Sequence, residues 1–249
     1  MEDLRTIMAL LRSPEGCPWD KVQTHQSIRR NMLEEAYELV ETIDQDDPDH
    51  MKEELGDVLL QVVFHAQLAQ EAGRFSLDDV VDGVARKLVF RHPHVFGTQQ
   101  AQDTQGALNT WDAQKQVEKG QKTAADTLNG VARSLPALMR AEKLQAKANK
   151  AGFDWADVEP ALDKLEEEVG ELRRAVHGDG DPAEELGDVL FAAAKCGRFL
   201  GLDSEQALHS TCEKFIRRFS YVEKNAPRPM EEMALAELEA LWDQAKTQE

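Results

Sequence analysis

The amino-acid sequence predicts an all-α protein built from two tandem copies of one helical domain. Two observations carry that expectation: apolar residues recur at helical spacing through most of the chain, and one heptapeptide occurs twice. The heptapeptide is Glu53-Glu54-Leu55-Gly56-Asp57-Val58-Leu59 in the first half and Glu184-Glu185-Leu186-Gly187-Asp188-Val189-Leu190 in the second. A string of that length repeated by chance is very improbable, so the halves read as an internal duplication.

In chain order, Leu33, Tyr37, Val40 and Ile43 form a first apolar stripe, and Leu55, Leu59, Val62 and Ala66 a second. Between them Asp46-Asp47-Pro48-Asp49 is a turn followed by a helix start. The second half repeats the plan with Leu165, Val169, Leu172 and Val176, a break from His177 to Pro182, and then Leu186, Val189 and Ala193. Alternating β-branched runs bounded by turns are hard to find. Residues Gly97 to Thr127 are rich in Gln, Thr, Asp, Lys and Gly, and read as a short helix near Trp111 plus a polar linker. The expected organisation is a first domain at 1–97, a short helix and linker at 98–127, and a second domain at 128–249.

A chain of 249 residues with 41% hydrophobic and 31% charged residues has material for ordinary folded cores. Its net charge of -18 repels the backbone of DNA or RNA and argues against a nucleic-acid polymer as main partner. A small phosphorylated ligand is still compatible, because a bound divalent cation reverses the local sign. Cys17, Cys196 and Cys212 contain no C-x-x-C pair and suggest neither a disulfide framework nor a zinc site. The start, Met1 to Arg5, has no basic leader pattern, and the apolar run Val58–Phe64 is interrupted by Gln61 and far too short to span a bilayer. A cytoplasmic protein without membrane attachment is expected.

The chemistry is carried by carboxylates. Glu34, Glu35 and Glu38 precede Glu54 and Asp57 in the first half; Glu167, Glu168 and Glu171 precede Glu185 and Asp188 in the second. Positions three or four apart share a helix face, so Glu35/Glu38 and Glu54/Asp57 form two pairs, one on each arm of a helical hairpin. Folded antiparallel, the hairpin makes four carboxylates converge. Such crowding raises their pKa values unless a hard cation with oxygen ligands offsets it. Magnesium suits this set, with retained waters and substrate phosphates completing its octahedron. A solvated acidic face is the simpler reading of any one glutamate in so acidic a chain. The duplicated spacing and the adjacent apolar stripes favour metal. Di-iron is disfavoured, because no Glu-x-x-His pair occurs.

Downstream of the second acidic hairpin, Lys214, Arg217 and Arg218 share one helix face suited to phosphate oxygens. The first-half counterpart, Lys87 to His92, has Phe90 where the second has Arg217, a thinner clamp. His25, His65, His92 and His94 lack metal-ligand spacing and suggest surface or capping roles. Trp242 suits either a core or base stacking.

These residues together resemble a known family. Cys17-Pro18-Trp19-Asp20, Gln23 to Ser27, Leu33-Glu34-Glu35-Ala36-Tyr37-Glu38, Glu54-Leu55-Gly56-Asp57, Arg140 to Gln145, Gly152-Phe153-Asp154-Trp155 and Lys214 to Arg218 are similar, in order, to MazG-type nucleoside triphosphate pyrophosphohydrolases. The resemblance implies tandem all-α domains whose hairpins complete four-helix bundles in a homodimer. It also implies magnesium-dependent hydrolysis of NTPs and dNTPs between the α and β phosphates. Carried over residue by residue, it implies metal ligands Glu168, Glu171, Glu185 and Asp188, and in the first domain Glu35, Glu38, Glu54 and Asp57. Lys164, Lys214, Arg217, Arg218 and Trp242 would surround the nucleotide. Glu167, adjacent to Glu168 and not assigned to metal, is the candidate general base. The alternative is a helical nucleotide-sensing or regulatory protein without turnover.

Overall fold

The computed structural model describes residues 2–98 and 103–248, and within them α-helices, one short 3-10 turn and no strand. The all-α expectation is met. The chain divides into two compact units, Met1–Lys115 and Gln116–Glu249. The first holds α1 (Glu2–Leu11), α2 (Pro18–Val22), α3 (Arg29–Asp44), α4 (Pro48–Glu71), α5 (Leu77–Arg91), α6 (Pro93–Phe96) and most of α7 (Thr104–Glu118). The second holds α8 (Ala124–Asn129), α9 (Ala137–Lys150), α10 (Glu159–Val176), α11 (Pro182–Phe199), α12 (Ser204–Asn225) and α13 (Leu235–Lys246). The division falls inside the segment expected to be a short helix and linker, and that segment is more helical than its composition suggests. Its residues 99–102 lie outside the described ones.

Each unit is organised on one hairpin, α3 with α4 and α10 with α11. The sequence breaks make the turns. Asp46 takes a left-handed φ of 54°, and the Asp47 carboxylate accepts from the Asp49 and His50 amides, with Pro48 at the first helical position. In the second hairpin Gly178 and Gly180 supply φ values of 99° and 124°, and Asp181 caps α11 through the Ala183 amide. α1 and α5 pack on α4; α9 and α12 pack on α11, and α13 on α12.

The stripes are only partly interior. Met8, Ile28, Val63, Phe64, Ala66, Leu68 and Leu77 form the buried cluster of the first unit. Leu33, Tyr37, Val40 and Ile43, the whole α3 stripe, are exposed, as are Leu55 and Leu59 of α4. The second hairpin repeats this: Val169, Val176, Leu186, Leu190 and Phe191 are exposed, while its buried apolar residues are Ala161, Ala175, Ala192, Ala194 and Cys196. A stripe wider than about 100° cannot be covered by a single partner helix.

Buried charge locks the elements around each hairpin. The Arg12 guanidinium donates to Glu71 at 2.7 Å and to the Asp20 carbonyl, and lies 5.5 Å from the Phe64 ring, tying the α2 turn to α4. In the second unit Asp154 pairs with Lys195 at 2.5 Å and with Arg198, all three side chains at most 16% exposed. Burial acts to raise the Asp154 pKa, but Lys195, the Trp155 amide and Arg198 outweigh it and hold the carboxyl below the ordinary 3.8. This contribution is therefore present at neutral pH and lost only as acid protonates Asp154 below that range. Asp154→Ala strands two buried cations, so urea denaturation of the variant is expected to show a loss of about 3–5 kcal/mol.

The histidines behave differently from one another. His92 ends α5 and its Nδ1–H donates to the Leu88 carbonyl at 2.6 Å, a capping role as expected. His25 and His65 instead stack in parallel with their Nδ1 atoms 2.8 Å apart. Burial, then the His25 charge, lowers the His65 pKa.

Candidate metal and triphosphate site

The hairpins bring the predicted carboxylates together. Glu35 and Glu38 of α3 and Glu54 of α4 each offer an oxygen within 4.8 Å of the others, and Glu168, Glu171 and Glu185 do the same on α10 and α11. Asp57 and Asp188 lie outside these tight sets but within their field. Burial first, then Asp57, Glu38 and Glu54, push the Glu35 pKa up; burial and then Glu171, Asp188 and Glu168 do so for Glu185. Glu54 is raised likewise, by burial and then Glu38 and Asp57.

An orphaned atom tests whether a cation fits. Glu54 Oε2 is buried and has no hydrogen-bond partner, a costly state that an oxygen-seeking cation relieves. The donor set is all oxygen, as magnesium requires. Gln61, missed in the sequence reading, bonds the Glu35 carboxylate and is only 6% exposed. The signal was present as the polar break in the Val58–Phe64 run.

The two sets differ in their cations. The Lys164 ammonium lies 2.7 Å from both Glu167 and Glu168, and the Glu168 side chain is 9% exposed. Hydrogen bonds to Glu167, then Glu168, push the Lys164 pKa up. Arg174 Nη2 donates to Glu171 at 3.0 Å. Aligning Glu35 with Glu168 puts Asn31 where the second unit has Lys164, and Glu41 where it has Arg174. Glu34, the counterpart of Glu167, is held on the exposed face by Arg30 at 2.7 Å. Glu167 is itself exposed and occupied by Lys164.

The predicted basic residues share α12, which packs against α11. Arg218 lies 5.9 Å from the Trp242 ring, and Phe215 lies 5.2 Å from it at a 50° tilt. Lys214 is half-buried and Arg217 exposed. Trp242 is thus half-buried in an aromatic and cationic cluster. The first unit has an equivalent around Trp111, a residue expected only on a short helix between the domains. Arg91, buried, lies 5.0 Å from the Trp111 ring, Lys115 lies 5.9 Å from it, and the His92 ring meets it at 5.8 Å with a 55° tilt. The legible sign was a second repeat: Trp111-Asp112-Ala113-Gln114-Lys115 against Trp242-Asp243-Gln244-Ala245-Lys246.

Comparison with known proteins agrees with this duplicated design. The family model of the MazG nucleotide pyrophosphohydrolase domain matches twice, at residues 23–96 and 157–222, one match on each hairpin. The chain is 44% identical to the nucleoside triphosphate pyrophosphohydrolase/pyrophosphatase MazG of Thermotoga maritima, over 98% of this chain and 95% of that protein. It is also 44% identical to the nucleoside triphosphate pyrophosphohydrolase of Escherichia coli, over 100% of this chain and 98% of that one. An uncharacterized protein of Bacillus subtilis, YabN, is 46% identical over 98% of this chain but only 51% of its own length. With both matches centred on the acidic hairpins and full-length relatives at this identity, the chain belongs to the MazG nucleotide pyrophosphohydrolase family.

Proposed function

We propose that this protein hydrolyses nucleoside triphosphates, ribo- and deoxyribo- alike, between the α and β phosphates, releasing nucleoside monophosphate and pyrophosphate with magnesium. The observation that carries this reading is the pair of three-carboxylate sets, with its orphaned buried oxygen on Glu54, on hairpins that match the family domain. The relatives' names support the reaction. Bound at a set, magnesium supplies charge neutralisation and polarisation of the phosphoryl group.

The chain's own residues do the rest. Glu168, Glu171 and Glu185, with Asp188 at their edge, would hold the magnesium whose positive charge draws in the reacting end of the anionic substrate. Water attacks the α-phosphorus, a P–O bond forms, and the bond to the bridging oxygen breaks. Lys214, Arg217 and Arg218 take the charge appearing on departing pyrophosphate. Trp242, already packed against Phe215, offers a face to the base. Glu167 accepts the water's proton once Lys164 has left it for a phosphate oxygen. In the first unit Arg91, Trp111 and Lys115 form a comparable cationic and aromatic cluster.

The exposed hairpin faces support a homodimer in which a second copy covers them. No described helix is long and apolar enough to cross a membrane, and we place the protein in the cytoplasm. Incubation with a panel of triphosphates and magnesium, followed by product separation, is expected to yield monophosphate and pyrophosphate, and nothing after chelation. Orthophosphate with a nucleoside diphosphate would overturn the bond assignment. Saturable binding without products would favour the regulatory alternative.

A further inference from the structure

We infer that Lys164 is an internal stand-in for the cation of the second site, so that the two carboxylate sets, alike in geometry, differ in affinity for free divalent cations. This rests on reading the sets as cation sites. The first set has no ion pair among the described residues: Glu35 is met by Gln61, Glu38 and Glu54 by no cation, and His50, whose field reaches Glu54, is itself held by Asp47 at 2.7 Å. The second set is already partly neutralised. Lys164 sits 2.7 Å from Glu168, the most buried carboxylate of either set, and Arg174 sits 3.0 Å from Glu171. The Arg174 pair is mostly in solvent and contributes little. The Lys164 pair is not, because Glu168 is nearly enclosed.

A cation that takes the Glu168 oxygen held by Lys164 must displace that ammonium, whereas one entering the first set meets no such ion pair. The released ammonium then has a destination: the triphosphate oxygens that arrive at the same place. Lys164 therefore couples cation and nucleotide binding in the second unit, and Asn31 leaves them uncoupled in the first. The same displacement frees Glu167, which Lys164 otherwise holds at 2.7 Å.

Manganese titration of the full-length protein without nucleotide, followed by electron paramagnetic resonance of the free ion, reads this directly. Wild type is expected to show two classes separated by about tenfold, the worth of one charge-assisted hydrogen bond. Glu35→Gln should remove the tight class and Glu168→Gln the weak one. Lys164→Asn should tighten the weak class about tenfold, and Asn31→Lys should weaken the tight class by a similar factor. A non-hydrolysable triphosphate should narrow the wild-type gap. Circular dichroism checks the folding of each variant, and Asn31→Lys carries the test from the opposite side if Lys164→Asn misfolds. Equal affinities in wild type, or classes unmoved by both exchanges, would overturn the inference while leaving the cation sites standing. No bound manganese in any variant would instead refute the sites themselves.

Discussion

Glu168→Gln is expected to lower triphosphate turnover about a thousandfold, a loss of the size seen when one preorganised charge is taken from a transition state. The substitution keeps shape and removes one charge from a set whose members lie within 4.8 Å of one another. Glu185→Gln should match it, since Glu185 completes the same set from α11. Glu35→Gln should cost less, because the first unit lacks the counterparts of Lys164 and Arg217. Equal losses from Glu35→Gln and Glu168→Gln would contradict a division of labour between the units.

The same exchange at Glu35 has an opposite effect on stability. Burial and three neighbouring carboxylates raise the Glu35 pKa, so the folded chain binds a proton there more readily than the unfolded chain. Folding stability of cation-free protein accordingly falls as pH rises from about the ordinary 4.5 through the raised value. A neutral glutamine removes that penalty. Glu35→Gln should melt at a higher temperature than wild type in chelator at neutral pH, and the difference should vanish in acid.

The second large effect concerns the uncovered hairpin faces. Replacing Leu186 and Leu190, 49% and 47% exposed on the isolated chain, with aspartate should convert the proposed dimer into monomers of 27.9 kDa. Each leucine covered by a partner contributes about 1.5–3 kcal/mol, and a charge in its place must also be desolvated. The double variant should therefore dissociate more than about a thousandfold more readily, with helical content retained. Light scattering decides the mass and circular dichroism the fold. Wild type found monomeric at micromolar concentration, with full activity, would remove the dimer from the mechanism.

Much of this was legible in the sequence, for identifiable reasons. Helices with fixed periodicity turn spacing into geometry, so Glu168, Glu171 and Glu185 met as their spacing implied. The duplicated heptapeptide placed both hairpins, and the Asp-Pro steps placed their turns. Contacts depending on tertiary packing were not legible. The break in its apolar run sets Gln61 apart, but nothing local names Glu35 as its partner or pairs His25 with His65. The role of Trp111 was concealed by its polar surroundings, which suggest only a short helix beside a linker, although its W-D-x-x-K string repeats at Trp242. The stripes on α3 and α10 were visible, but spacing does not tell whether a stripe faces its own chain or another.

One measurement reaches the chemistry directly: a single turnover of a nucleoside triphosphate with magnesium in oxygen-18 water, with mass analysis of both products. Attack at the α-phosphorus predicts one labelled oxygen in the nucleoside monophosphate and none in pyrophosphate. Label confined to pyrophosphate would place the attack on the β-phosphorus. That result would contradict the arrangement proposed for the carboxylates and for Lys214, Arg217 and Arg218.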